Sequence, residues 1–165
     1  MLPQTLEELI SIRTECHIMV KKRAIFAAAA SSLPFPGFDI SCDVAILLEL
    51  IPAINRKYGL SPEQIAGYSP KVKQIIFQVI KRAGLAMIGA EITRTLLTQT
   101  LKRVAGRGFT RQVLKFVPII GWSANAAIGF GAMLYVGNSH ARDCFNVCKN
   151  VIDANDNNIE PLVCR

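Results

Sequence analysis

No catalytic signature runs anywhere along this chain. It has no GxSxG elbow to expose a serine nucleophile, and no HExxH or CxxC pair to hold a metal. Alternation of apolar and polar residues long enough for a strand is also missing, as are an internal repeat and a low-complexity linker. Charge is scarce: 19% of residues are Asp, Glu, Lys or Arg, against about a quarter in an ordinary soluble domain. The five cysteines are odd in number and lack framework spacing, which excludes a disulfide scaffold and fits a reducing compartment, the cytosolic side by default. The opening LPQTLEEL has no basic segment before an apolar core, so no cleavable signal peptide is expected.

What the chain does have is apolar surface and positive charge. Of 165 residues, 51% are hydrophobic and the formal net charge is +7; mean hydropathy is +0.32 and the pI about 9.4. That length can bury a core of its own, and one helical domain is expected over 1–152, followed by a flexible polar tail over 153–165. A basic excess suits anionic lipid headgroups or nucleic acid. Nucleic acid is the poorer fit, because the basic residues are not interleaved with aromatics on a strand or loop. They stand in pairs at the margins of apolar segments, Lys21-Lys22, Lys81-Arg82 and Lys102-Arg103. That placement serves a membrane-facing helix and equally an ordinary solvated helix end.

In order along the chain, Leu6, Leu9, Ile10, Ile12, Cys16, Met19 and Val20 recur at helical spacing. The alanines that follow favour continuation to Leu33, where Pro34 ends the helix. Asp39 or Ser41 can cap a second helix that runs to about Tyr58 with Pro52 inside it. These two apolar runs are hinged by Pro34, Pro36 and Gly37, an N-terminal apolar helical hairpin. Gly59 ends the second run. Ser61-Pro62 and Ser69-Pro70 each combine a cap with a proline at the first helical position. From Pro70 to about Ala105 the pattern predicts one long central helix, and Gly106-Arg107-Gly108 breaks it. Phe116 to Gly137 then gives 22 residues without a formal charge, and a bilayer span needs about 20. Within it Ser123, Ala127 and Gly131 form a small-residue stripe that lets helices approach closely. The class is all-α.

Several constellations have a chemical and a plain reading. Gly84 to Glu91 mimics the start of a phosphate loop, but Ala90 and Glu91 stand where Lys and Ser/Thr are required, so the glycines are packing positions. His140, Cys144 and Cys148 share a helix face at i, i+4, i+8. Two of them could share zinc; a third ligand two turns away strains that geometry, and buried packing or free thiols is the alternative. Cys16 and His17 point about 100° apart on a helix and cannot form a local nucleophile–base pair. Asp39 and Asp43, one helical turn apart, are either a carboxylate pair or, in the plain reading, a first turn that complements the helix dipole. Trp122 and Tyr135 near the ends of the uncharged run serve either as interfacial anchors or as core residues.

These residues resemble the C-terminal helical domain of the immunity-related GTPases, the interferon-inducible dynamin-like group. Leu2-Pro3 looks like the family's exit from its G domain, followed by a lysine-rich helix around Lys21-Lys22. An apolar helix then ends in Pro34-Phe35-Pro36-Gly37, and Asp43-Val44-Ala45-Ile46-Leu47 and an exit Arg56-Lys57-Tyr58-Gly59-Leu60 resemble elements that follow in the family. Phe116-Val117-Pro118-Ile119-Ile120-Gly121 resembles the opening of a late helix. The likeness covers roughly 2–152. No phosphate loop, magnesium-binding aspartate motif or base-recognition motif is present, so GTP hydrolysis does not carry over. The resemblance implies a truncated product, an isoform or an excised domain, with the family's helical role in membrane targeting and in contacts with G domains and other subunits.

Taken together, the expectation is an all-α, non-enzymatic helical bundle with the N-terminal hairpin, a long central helix and a late apolar helix. Lys21, Lys22 and Arg23 are the candidate headgroup contacts, Pro34, Pro36 and Gly37 the hairpin tip, and Ser123, Ala127 and Gly131 the helix-packing positions. Membrane lipids and GTPase relatives or a second copy are the expected partners; no nucleic acid, small-molecule substrate, cofactor or metal is expected. Association is expected to be peripheral on the cytosolic side. A spanning or pore-forming protein and a soluble regulator of full-length GTPases are the alternatives.

Overall fold

The computed structural model describes the backbone of 1–31, 38–104 and 121–156, and the side chains of 1–29, 44–99 and 130–155. Every element in it is helical: α1 (Leu6–Ser31), α2 (Phe38–Lys57), α3 (Pro62–Ala66), α4 (Pro70–Ala83), α5 (Arg94–Val104) and α6 (Gly121–Asp156). The all-α class follows from the periodicity of the sequence. The hairpin tip, Pro34, Pro36 and Gly37, lies outside the described residues, as do 157–165 of the expected tail. The last helix reaches Asp156, four residues beyond the expected domain edge at Ile152.

Local chemistry sets the boundaries. At the end of α2 the Gly59 amide bonds to the Arg56 carbonyl and the Leu60 amide reaches back to Asn55, at 3.2 and 2.8 Å. This is a Schellman closure, and it needs a left-handed residue; Gly59 supplies it with φ +74°. Ser61 then caps α3 with a reciprocal box: its hydroxyl accepts from the Gln64 amide, and the Gln64 side chain accepts from the Ser61 amide. Ser69 caps α4 with its hydroxyl alone, accepting from the Val72 amide, with Pro70 at the first helical position. The helix α2 continues through Pro52.

The central segment departs from the expectation of one long helix. Gly84 turns left-handed, φ +67°, and ends α4; the chain stays non-helical until α5 begins at Arg94. The reason lies in tertiary packing. Ile88 is buried, and the Met87 carbonyl accepts a hydrogen bond from the Asn55 side chain at 2.9 Å instead of one from its own helix. Leu85, Ala86 and Met87 favour helix, but Gly84 and Gly89 both take positive φ and leave the helical region without a Cβ penalty.

The chain divides into two compact units. One comprises 1–17, 52–91 and 139–165, the other 18–51 and 92–138. The first has a core of Leu9, Cys16, Ile54, Tyr58, Leu60 and Ile76 with the last turns of α6. The second buries Val20, Ala24, Ala27, Leu47, Leu50 and Met133. In it α6 comes close enough that a Cβ placed on Gly137 would lie 2.7 Å from Val20 Cγ1 and 3.4 Å from Leu50 Cδ2. None of the described helices is long and apolar enough to cross a membrane.

Candidate functional site

Two features stand out: a buried polar cluster in the first unit, and an apolar–basic exposed face on α1.

The cluster is organised by Asn55. Its amide nitrogen is committed to the Met87 carbonyl, so its oxygen faces His140 Nε2 at 2.8 Å. The imidazole therefore donates from Nε2. Burial pushes the His140 pKa down to about 4, so the ring is neutral at physiological pH. One turn further along α6, the Cys144 thiol lies 3.5 Å from the same Asn55 oxygen and 3.6 Å from His140 Nε2. Cys148 donates to the Tyr58 carbonyl at 3.3 Å. Cys16 is also buried in this unit, and its thiol is pushed up to about 11, chiefly by burial.

That geometry decides between reactive and packing roles for the i, i+4, i+8 triplet. A nucleophilic cysteine needs a depressed pKa and a base that can take its proton. Here burial raises Cys144 and Cys148 well above the usual thiol range, and the imidazole nitrogen nearest Cys144 is already a donor. Among the described residues, no group of three or more His, Cys, Asp or Glu side chains could hold a metal ion. The triplet is a hydrogen-bonded piece of core. Tyr58, beside it, is fully buried, and its hydroxyl has no partner among the described residues.

Asn55 escaped the sequence reading. The signal for it is present: Asn55 sits one turn after Ile51 and one before Tyr58 on the stripe that α2 buries, so it is a polar residue on an apolar face. Such a residue demands a partner.

The α1 face is built differently. Leu9, Cys16, Val20, Ala24 and Ala27 are fully buried on one side. The opposite side is polar in the first half of the helix, where Ser11, Thr14 and Glu15 are exposed, but from Ile18 onward it is not, for Ile18, Ile25 and Phe26 are 50%, 63% and 59% exposed. With successive residues turning about 100°, Ile18, Ile25 and Ala29 share one line along the helix. Lys21 stands to one side of that line and Lys22 to the other, both exposed. The third member of the expected basic trio is engaged elsewhere: Arg23 pairs with Glu49 at 3.0 Å.

Side chains of Ser123 and Ala127, like those of Asp39, Asp43 and Trp122, lie outside the described residues. A Cβ on Gly131 would meet nothing within 4 Å among the described residues; the close approach falls six residues later, at Gly137. Tyr135 is 58% exposed, so it is not a core residue. No family model matches the chain, and neither do curated proteins or solved structures.

Proposed function

We propose that this chain is a non-catalytic helical domain that associates peripherally with anionic membranes on the cytosolic side and contacts other proteins through its helices. The exposed face of α1 carries the proposal. Three large apolar side chains left in water along two turns of a helix cost free energy, unless another apolar phase receives them. Flanking lysines suit that phase if it is a bilayer surface, because their stems lie along the acyl boundary while the ammonium groups reach phosphate. The net charge of +7 acts in the same direction. The resemblance to the helical domain of immunity-related GTPases adds a setting, cell-autonomous defence, and a partner class, GTPase relatives or a second copy.

Flotation of the full chain with vesicles tests this. Binding is expected with phosphatidylserine present and to fall steeply in pure phosphatidylcholine. Each lysine near an anionic surface contributes about 1 kcal/mol. Charge reversal of Lys21 and Lys22 should therefore lower the partition coefficient about thirtyfold or more, and Arg23→Gln should change it less than Lys21→Gln does. Equal recovery of the chain and its Lys21→Glu/Lys22→Glu variant with anionic vesicles would sink the assignment.

A further inference from the structure

The helix α4 carries a second face of the same chemistry, in the other unit. Between Pro70 and Ala83 there are four cations, Lys71, Lys73, Lys81 and Arg82, and no anion. Val72 and Ile76 anchor the helix in the core. Phe77 points away from them and is 52% exposed. Lys73 and Lys81 lie one turn before and one turn after it, at i−4 and i+4, about 6 Å along the axis in each direction and within about 40° of its azimuth. None of the four cations is ion-paired among the described residues. A large aromatic in water between two unpaired lysines is an uncompensated arrangement on both counts.

Charge decides what covers it. A second copy of this chain would bring the same cationic face and repel it. Single-stranded nucleic acid is held by several stacking aromatics in a groove, whereas α4 offers one ring on a convex surface. An anionic interface with an apolar layer beneath it satisfies the ring and both ammonium groups together. We infer that α4 is a second contact with anionic bilayers, in which Phe77 enters the interface and Lys73 and Lys81 meet headgroup phosphates. This rests on the reading of peripheral membrane association, and it adds an anchor independent of α1.

The chain's one tryptophan, Trp122, makes the test direct. In a Trp122→Phe background, Phe77→Trp and, separately, Phe26→Trp report insertion through their emission and its quenching by brominated lipid. With phosphatidylserine vesicles, both probes should shift to the blue and be quenched. A shift at 26 without one at 77 overturns the α4 contact and leaves the α1 reading standing; a shift at 77 alone does the reverse. No shift at either position, with no flotation, overturns both. A response at 77 to a single-stranded oligonucleotide but not to vesicles overturns the lipid assignment. Should Trp122→Phe disturb the helical circular dichroism, Lys73→Gln/Lys81→Gln in the unaltered chain carries the test. Partitioning is then expected to fall about five- to thirtyfold, and unchanged flotation overturns the inference.

Discussion

The two units solve the problem of a unique core by different means. The one holding Asn55 and His140 uses polar specificity: a side-chain amide bridges a part-buried carbonyl and a fully buried imidazole. Such a network stabilises only when every member is satisfied, so it discriminates strongly between one register of helices and any other. The unit holding Gly137 uses shape. There the helices are set by aliphatic side chains and by an approach so close that no β-carbon fits. A buried imidazole therefore opens the first core to pH, whereas the contact of Gly137 with Val20 and Leu50 contains no titrating group.

Acid should break the first unit most. The folded His140 pKa, about 4, lies below the ordinary value of 6.5. The unfolded chain thus takes up the proton first, and stability is complete above pH 6.5 and is lost as pH falls toward 4. By linkage the loss reaches roughly 3 kcal/mol at pH 4. Urea midpoints at pH 7 and 4.5 measure it, and the paired Asn55→Leu/His140→Leu variant should lose most of that component. An equal acid drop in the paired variant would remove His140 as the cause.

The next largest effect belongs to the second unit. Gly137→Val should cost about 2–3 kcal/mol by overpacking against Val20 and be indifferent to pH. Gly131→Ala, on the same helix but in open space, should be neutral or stabilising by up to about 1 kcal/mol. Thermal melts of the pair read the contrast directly, and equal shifts would mean that shape does not set this core. Smallest is Arg23→Gln. Its pair with Glu49 is well exposed on both sides, so a loss below about 0.5 kcal/mol is expected by denaturant titration.

The sequence made the helices and their ends legible wherever local chemistry decides them. Ser61-Pro62, Ser69-Pro70 and Gly59 stand where caps and a left-handed terminus do. The break at Gly84 was not legible, because it depends on Asn55, 32 positions earlier, taking the Met87 carbonyl. Periodicity alone favours a continuous helix there. Of the candidate membrane face, Lys21 and Lys22 were readable as a basic cluster, but their relation to Ile18, Ile25 and Phe26 was not. Helical spacing shows that those apolar residues share a side; only packing shows that the buried side is the other one. Of the small-residue stripe only Gly131 lies among the described side-chain positions, with open space around it, whereas a close approach to α6 falls at Gly137.

The Asn55–His140 bond also bears on the order in which the molecule can be made. It joins residues 85 apart in sequence, and the Cys148–Tyr58 contact spans 90. Contacts of that separation close late, because a long loop must be ordered before they form. On the ribosome, α1, α2 and α4 emerge well before His140 does. Until α6 is released, Asn55 and the Tyr58 carbonyl lack their partners His140 and Cys148. Between the emergence of α2 and that of α6 this buried polar cluster is incomplete, a period in which chaperones or a nearby bilayer compete with folding.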